Sequence, residues 1–88
     1  METRVALLSI IVHDKEKVDE LNALLSEYSD VIIGRLGLPY PAKGMNIIAI
    51  ALDAPQPEIS ALSGKIGGLK GINAKVCYAE KSNNCDAC

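Results

Sequence analysis

Apolar residues alternate along Arg4–Val12 so that neither side of the run is polar. Ala6, Leu8, Ile10 and Val12 take one face; Val5, Leu7, Ser9 and Ile11 take the other. Residues 45–53 repeat the pattern, with Ile48, Ile50 and Leu52 against Met45, Ile47, Ala49 and Ala51. A period of two predicts strands, and a strand apolar on both faces belongs in the middle of a sheet. Residues 31–38 form another aliphatic run, joined to the one at 45–53 by the turn formers Pro39-Tyr-Pro-Ala-Lys-Gly, which predicts a hairpin. Ile72, Ala74, Val76 and Tyr78 alternate with Asn73, Lys75 and Cys77, so this last strand has one polar face.

Two stretches follow a helical period instead. Across 15–29, Val18, Leu21, Leu24, Leu25 and Tyr28 fall on one stripe, and Lys15, Lys17, Asp19, Glu20 and Glu27 lie mostly off it. Asp14 is placed to cap this helix and Glu16 to favour its first turn. A second helix is expected to start in Asp53-Ala-Pro-Gln-Pro, with Ile59, Leu62 and Ile66 as its stripe. Gly67-Gly68 is expected to end it through a left-handed cap. A weak internal repeat follows, strand–Asp14–helix against strand–Asp53–helix.

The order is β-α-β-β-α-β, two split βαβ halves, which predicts an α+β, ferredoxin-like sandwich with a four-stranded antiparallel sheet. Right-handed crossovers put both helices on one face of that sheet, with the first and third strands central. The other face then keeps an apolar patch, either Leu7, Ile11 and Ile47 with their neighbours or their partners on the alternate register. Such a patch marks an interaction surface. Homo-oligomer packing is the favoured use, and a groove for an apolar ligand is the alternative.

With 88 residues the chain makes one domain, read here as 1–80 followed by a polar, frayed tail at 81–88. A domain of this size buries only about 60–65% of its unfolded surface, so association would help it. The net charge is −2 and the basic residues are scattered, which argues against a nucleic-acid footprint. The absence of Phe and Trp argues against base stacking. No apolar run approaches a membrane span, and the first strand begins too early for a signal peptide. Three Cys, an odd number, fit a reducing cytoplasm.

Several stretches resemble the small proteins described as iron-only hydrogenase system regulators. They are Val-Ala-Leu-Leu-Ser-Ile-Ile-Val (5–12), Leu-Asn-Ala-Leu-Leu-Ser-Glu-Tyr (21–28), Ile-Ile-Gly-Arg-Leu-Gly-Leu-Pro-Tyr (32–40), Ile-Ala-Leu-Asp-Ala-Pro (50–55) and Ile-Ser-Ala-Leu-Ser-Gly-Lys-Ile-Gly (59–67). That family is similar to ACT domains and to the C-terminal domain of nickel-responsive regulators. Those modules associate through their sheets and bind amino acids or metal at subunit contacts. The resemblance implies a non-enzymatic regulatory or ligand-sensing role in a hydrogenase system. The chain departs from the nickel regulators in having no N-terminal DNA-binding segment and a single His. Neither direct DNA binding nor nickel binding is therefore expected.

Candidate chemistry is sparse. In ACT-like modules the loop after the first strand lines the ligand site, and by that analogy His13 and Asp14 are candidate ligand residues. Gly34 suggests a bulge or a close backbone approach, and Arg35 offers a planar fork for a carboxylate. The alternative roles are helix capping for Asp14 and edge protection for Arg35. With Arg35 for a carboxylate and Asp14 for an ammonium, a small zwitterionic effector fits. Cys85 and Cys88 form a lone Cys-x-x-Cys, half a tetrahedral metal site. A metal- or redox-responsive module using that pair, or a purely structural interaction protein, are the alternative functions. No cofactor is indicated.

Overall fold

The computed structural model describes residues 2–79. Its strands are β1 (Arg4–Val12), β2 (Ile32–Tyr40), β3 (Met45–Ala54) and β4 (Ile72–Tyr78), and its α-helices are α1 (Val18–Glu27) and α2 (Gln56–Gly67). The strands form one antiparallel sheet in the order β2-β3-β1-β4. The two runs apolar on both faces are thus central, each hydrogen-bonded to a neighbour on either side. The architecture is the α+β, ferredoxin-like sandwich.

Register decides which apolar face enters the core. Ala6, Leu8, Ile10 and Val12 of β1 and Ile48, Ile50, Leu52 and Ala54 of β3 are buried. They pack beneath Leu21 and Leu25 of α1 and Ile59, Leu62 and Ile66 of α2. The opposite parity (Val5, Leu7, Ile11 and Ile47) faces away from the helices.

Strand β2 carries a β-bulge. Ile32 pairs with Leu52 and Gly34 with Ala51, so Ile33 is the extra residue. One inserted residue reverses the alternation that follows it. Arg35 and Gly37 sit opposite Ile50 and Ile48 on the helix side, while Leu36 and Leu38 sit opposite Ala49 and Ile47 on the open side.

Three local features differ from the sequence pattern. The first helical stretch is shorter than 15–29: Lys15–Lys17 and Ser29–Val31 are 3-10 turns flanking α1. Asp14 caps the first of these turns, accepting from the Glu16 backbone N–H at 3.0 Å. Asp53 starts no helix. Its backbone stays paired with Val5 in the sheet, and Pro55 is the residue before α2, with no side-chain cap. The repeat therefore does not extend to the capping residues. Finally, no left-handed glycine ends α2. Gly68 has φ −78°, and the positive φ comes later, at Gly71 (φ +78°), where the chain turns into β4. The Gly68 N–H donates to the Gly64 carbonyl and the Leu69 N–H to that of Ile66, so these two of the last carbonyls are satisfied without it.

Candidate functional site

The helices leave the other face of the sheet uncovered. Leu36 and Leu38 of β2 are 60% and 53% exposed; Val5 and Leu7 of β1, Ile47 of β3 and Tyr40 are also exposed. Ala49 and Ala51 are small and lie between these larger side chains in the β3 row. Beside Ala51 they leave a shallow hollow of about 250 Å³ lined by Val5, Leu7, Ala51 and Cys77. Apolar character falls off toward β4, whose outward residues are Asn73, Lys75 and Cys77. The exposed patch is thus centred on β2, β3 and β1.

The structure divides the residues expected to bind a ligand. His13 and Asp14 stand beyond the end of β1, against the turn into β4. His13 Nε2 is 2.6 Å from Asn73 Oδ1, an acceptor, so the ring donates through that nitrogen. Its backbone N–H donates to the Gly71 carbonyl at 2.6 Å. Asp14 caps and packs against Gly71.

Arg35 is on the other edge of the sheet. It pairs with Ile50, whereas Val12 pairs with Asn46, four positions along β3. Gly34 and Arg35 also point to opposite faces. Within one chain, then, the two pairs do not share a site. The thiols of Cys85 and Cys88 lie outside the described residues. Among the described residues, no group of three or more His, Cys, Asp or Glu side chains could hold a metal ion.

Arg35 has a partner that the sequence reading passed over. Its Nη2 donates to Asn22 Oδ1 of α1 at 3.3 Å. The available signal was Asn22 itself, a poor helix former within a good helix, on the row Val18–Asn22–Ser26 beside the apolar stripe. The bulge that brings Arg35 to that row cannot be counted from periodicity.

Comparison with known proteins agrees with this architecture. Residues 4–76 match the family described as "TM1266-like: Iron-only hydrogenase system regulator, putative". Among solved structures, the uncharacterized protein TM1266 from Thermotoga maritima is similar with a TM-score of 0.85 and 36% sequence identity. The alignment covers 90% of this chain and 100% of that one. None of the curated proteins matches the chain.

Proposed function

Because the chain belongs to the TM1266-like family of iron-only hydrogenase system regulators, we propose that it is a regulatory module working as a homo-oligomer paired through its open sheet face. The observation that supports this reading is the outward apolar row of Leu36, Leu38, Ile47, Leu7 and Val5 on a sheet whose other side, at β1 and β3, already forms the core. A monomer keeping this row in water would forgo roughly 25 cal/mol for each Å² of apolar surface it could bury. The two charged residues of the face, Asp53 and Lys75, have opposite signs, so two copies can approach without net repulsion. A regulatory role suits such a surface, since assembly through it can be shifted by a partner or an effector. Among the described residues, no helix is long and apolar enough to cross a membrane.

Light scattering coupled to size exclusion tests the proposal. The chain is expected to run as a defined oligomer at micromolar concentration, and Ile47→Lys to reduce the oligomer to monomer. A stable wild-type monomer at that concentration would refute it.

A further inference from the structure

The helix side of β2 holds a groove that the core does not fill. It runs between α1 and the edge strand, and the Arg35–Asn22 pair sits across its middle. On one side is a cavity of about 360 Å³ bounded by Leu25, Ser26, Ser29 and Ile32. On the other is one of about 270 Å³ bounded by Val18, Gly37, Pro39, Asn46 and Ile48. Arg35 and Asn22 line both.

Gly37 explains why the second cavity is open. It faces the helix side opposite Ile48, where any larger residue would pack. A β-carbon at Gly37 would meet nothing within 4 Å.

Among the described residues, no ion pair meets the charge of Arg35. Its one hydrogen bond is the long one to a neutral amide, and no Asp or Glu lines either cavity. Two acidic residues of α1 are engaged elsewhere: Glu20 lies 3.7 Å from Lys17, and Glu27 acts on Lys65 of α2. A guanidinium fork with most of its donors unused, apolar walls on both flanks and hydroxyl and amide groups along α1 make a defined set of contacts for one kind of molecule.

We propose that this groove binds a small monocarboxylate with a branched apolar body. The fork of Arg35 takes the carboxylate in two parallel hydrogen bonds, displacing the Asn22 contact. The apolar body fills the space beside Gly37, against Val18 and Ile48. The cavity volumes lie near the lower end for small-molecule sites and suit a metabolite of a few carbons. A doubly charged phosphate is a poorer fit, because among the described residues Arg35 is the only cation lining the groove. The site lies within one chain and on the opposite side of β2 from the open face, so it stands whether or not that face pairs. That the ligand is an effector rests on the regulatory role proposed above.

The test is an NMR and thermal-shift titration of the full chain with isovalerate, its neutral isostere isovaleramide, and inorganic phosphate. Isovalerate at millimolar concentration is expected to move the amide signals of Asn22, Ser26 and Gly37 and to raise the melting temperature. Arg35→Gln is expected to weaken it about tenfold or more, the loss of a charged hydrogen-bonding partner. Gly37→Val, whose β-carbon meets nothing within 4 Å and whose methyls enter the cavity, is expected to abolish it with the fold retained. Lys65→Gln, on the other helix, leaves it unchanged. Equal binding of isovaleramide, preference for phosphate, indifference to both groove variants, or no response to isovalerate would each overturn the proposal. The oligomer measured by light scattering is a separate readout, so failure here and failure of the assembly are told apart.

Discussion

Gly71 lies against Asp14 so closely that a β-carbon built on the glycine would stand 2.7 Å from the Asp14 Cβ. The contact joins the loop after β1 to the turn before β4, beside the hydrogen bond from the His13 N–H to the Gly71 carbonyl. Gly71 also has φ +78°, a region that costs an ordinary L-residue roughly 1–2 kcal/mol.

Gly71→Ala therefore meets two penalties at once. It should lose about 2 kcal/mol or more and lower the melting temperature by about 10 °C. Gly44→Ala is the matched comparison: its φ is +65°, but nothing lies within 4 Å of the added carbon. It should lose about 1 kcal/mol, from the dihedral alone. The difference between the two melting curves isolates the contact with Asp14, and equal losses would mean that the two loops part easily.

Lys65 of α2 donates from Nζ to the Tyr28 hydroxyl at 3.2 Å and lies 5.5 Å from the centre of that ring. The hydrogen bond to Tyr28 is the main reason its pKa is raised above 10.5, with the phenolate charge second. A raised lysine stabilises the fold fully below its unfolded pKa and loses that contribution as pH climbs through the folded value. Stability from this pair should thus be constant through neutral pH and decline only above about 10.5. Tyr28→Phe should bring the Lys65 titration, followed by NMR of the side chain, to a lower pH. An unchanged titration would place the cause elsewhere.

Opposite parities of the sheet should respond differently to charge. Leu38→Asp puts a carboxylate on the open face, where the single chain leaves Leu38 exposed, so the fold should survive while the oligomer dissociates. Leu52→Asp puts the same group among buried aliphatic residues without a partner. It should destabilise by several kcal/mol and unfold a domain this small. Circular dichroism and light scattering on the two variants separate the outcomes. Retention of the oligomer by Leu38→Asp would remove this strand from the interface.

The architecture was legible because each of its signals is local. Both alternating faces of β1 and β3 are apolar, which makes them central, and Leu21, Leu25, Ile59, Leu62 and Ile66 keep helical spacing through to the core. What the sequence could not say was which face of β1 and β3 turns inward. Leu7, Ile11 and Ile47 are as apolar as Leu8, Ile10 and Ile48, and only the helices packed above the sheet choose between them. The end of α2 falls at Gly67-Gly68 as expected, but without the left-handed cap, because adjacent glycines look like such a cap whatever their dihedrals. The bulge at Gly34 could be suspected from that glycine. The meeting of Arg35 with Asn22 could not, because it depends on tertiary packing across a loop and a change of strand parity.

That change of parity hangs on one unpaired residue. If Ile33 instead took a regular place in the ladder, the strand could keep Ile32 opposite Leu52 only by sending Leu36 and Leu38 toward the helices and Arg35, Gly37 and Pro39 out to the open face. Alternatively, it could keep the later pairs and pull Ile32 off the core side. In the first case the protein would lose its outward leucines and the walls of its groove in one step, without any residue changing identity. Deleting Ile33 outright would do neither, because Ile32 and Gly34 already oppose adjacent residues of β3, Leu52 and Ala51, and every later pair would hold. The bulge thus lets an edge strand carry one residue more than its partner needs while keeping its leucines outside and its arginine inside.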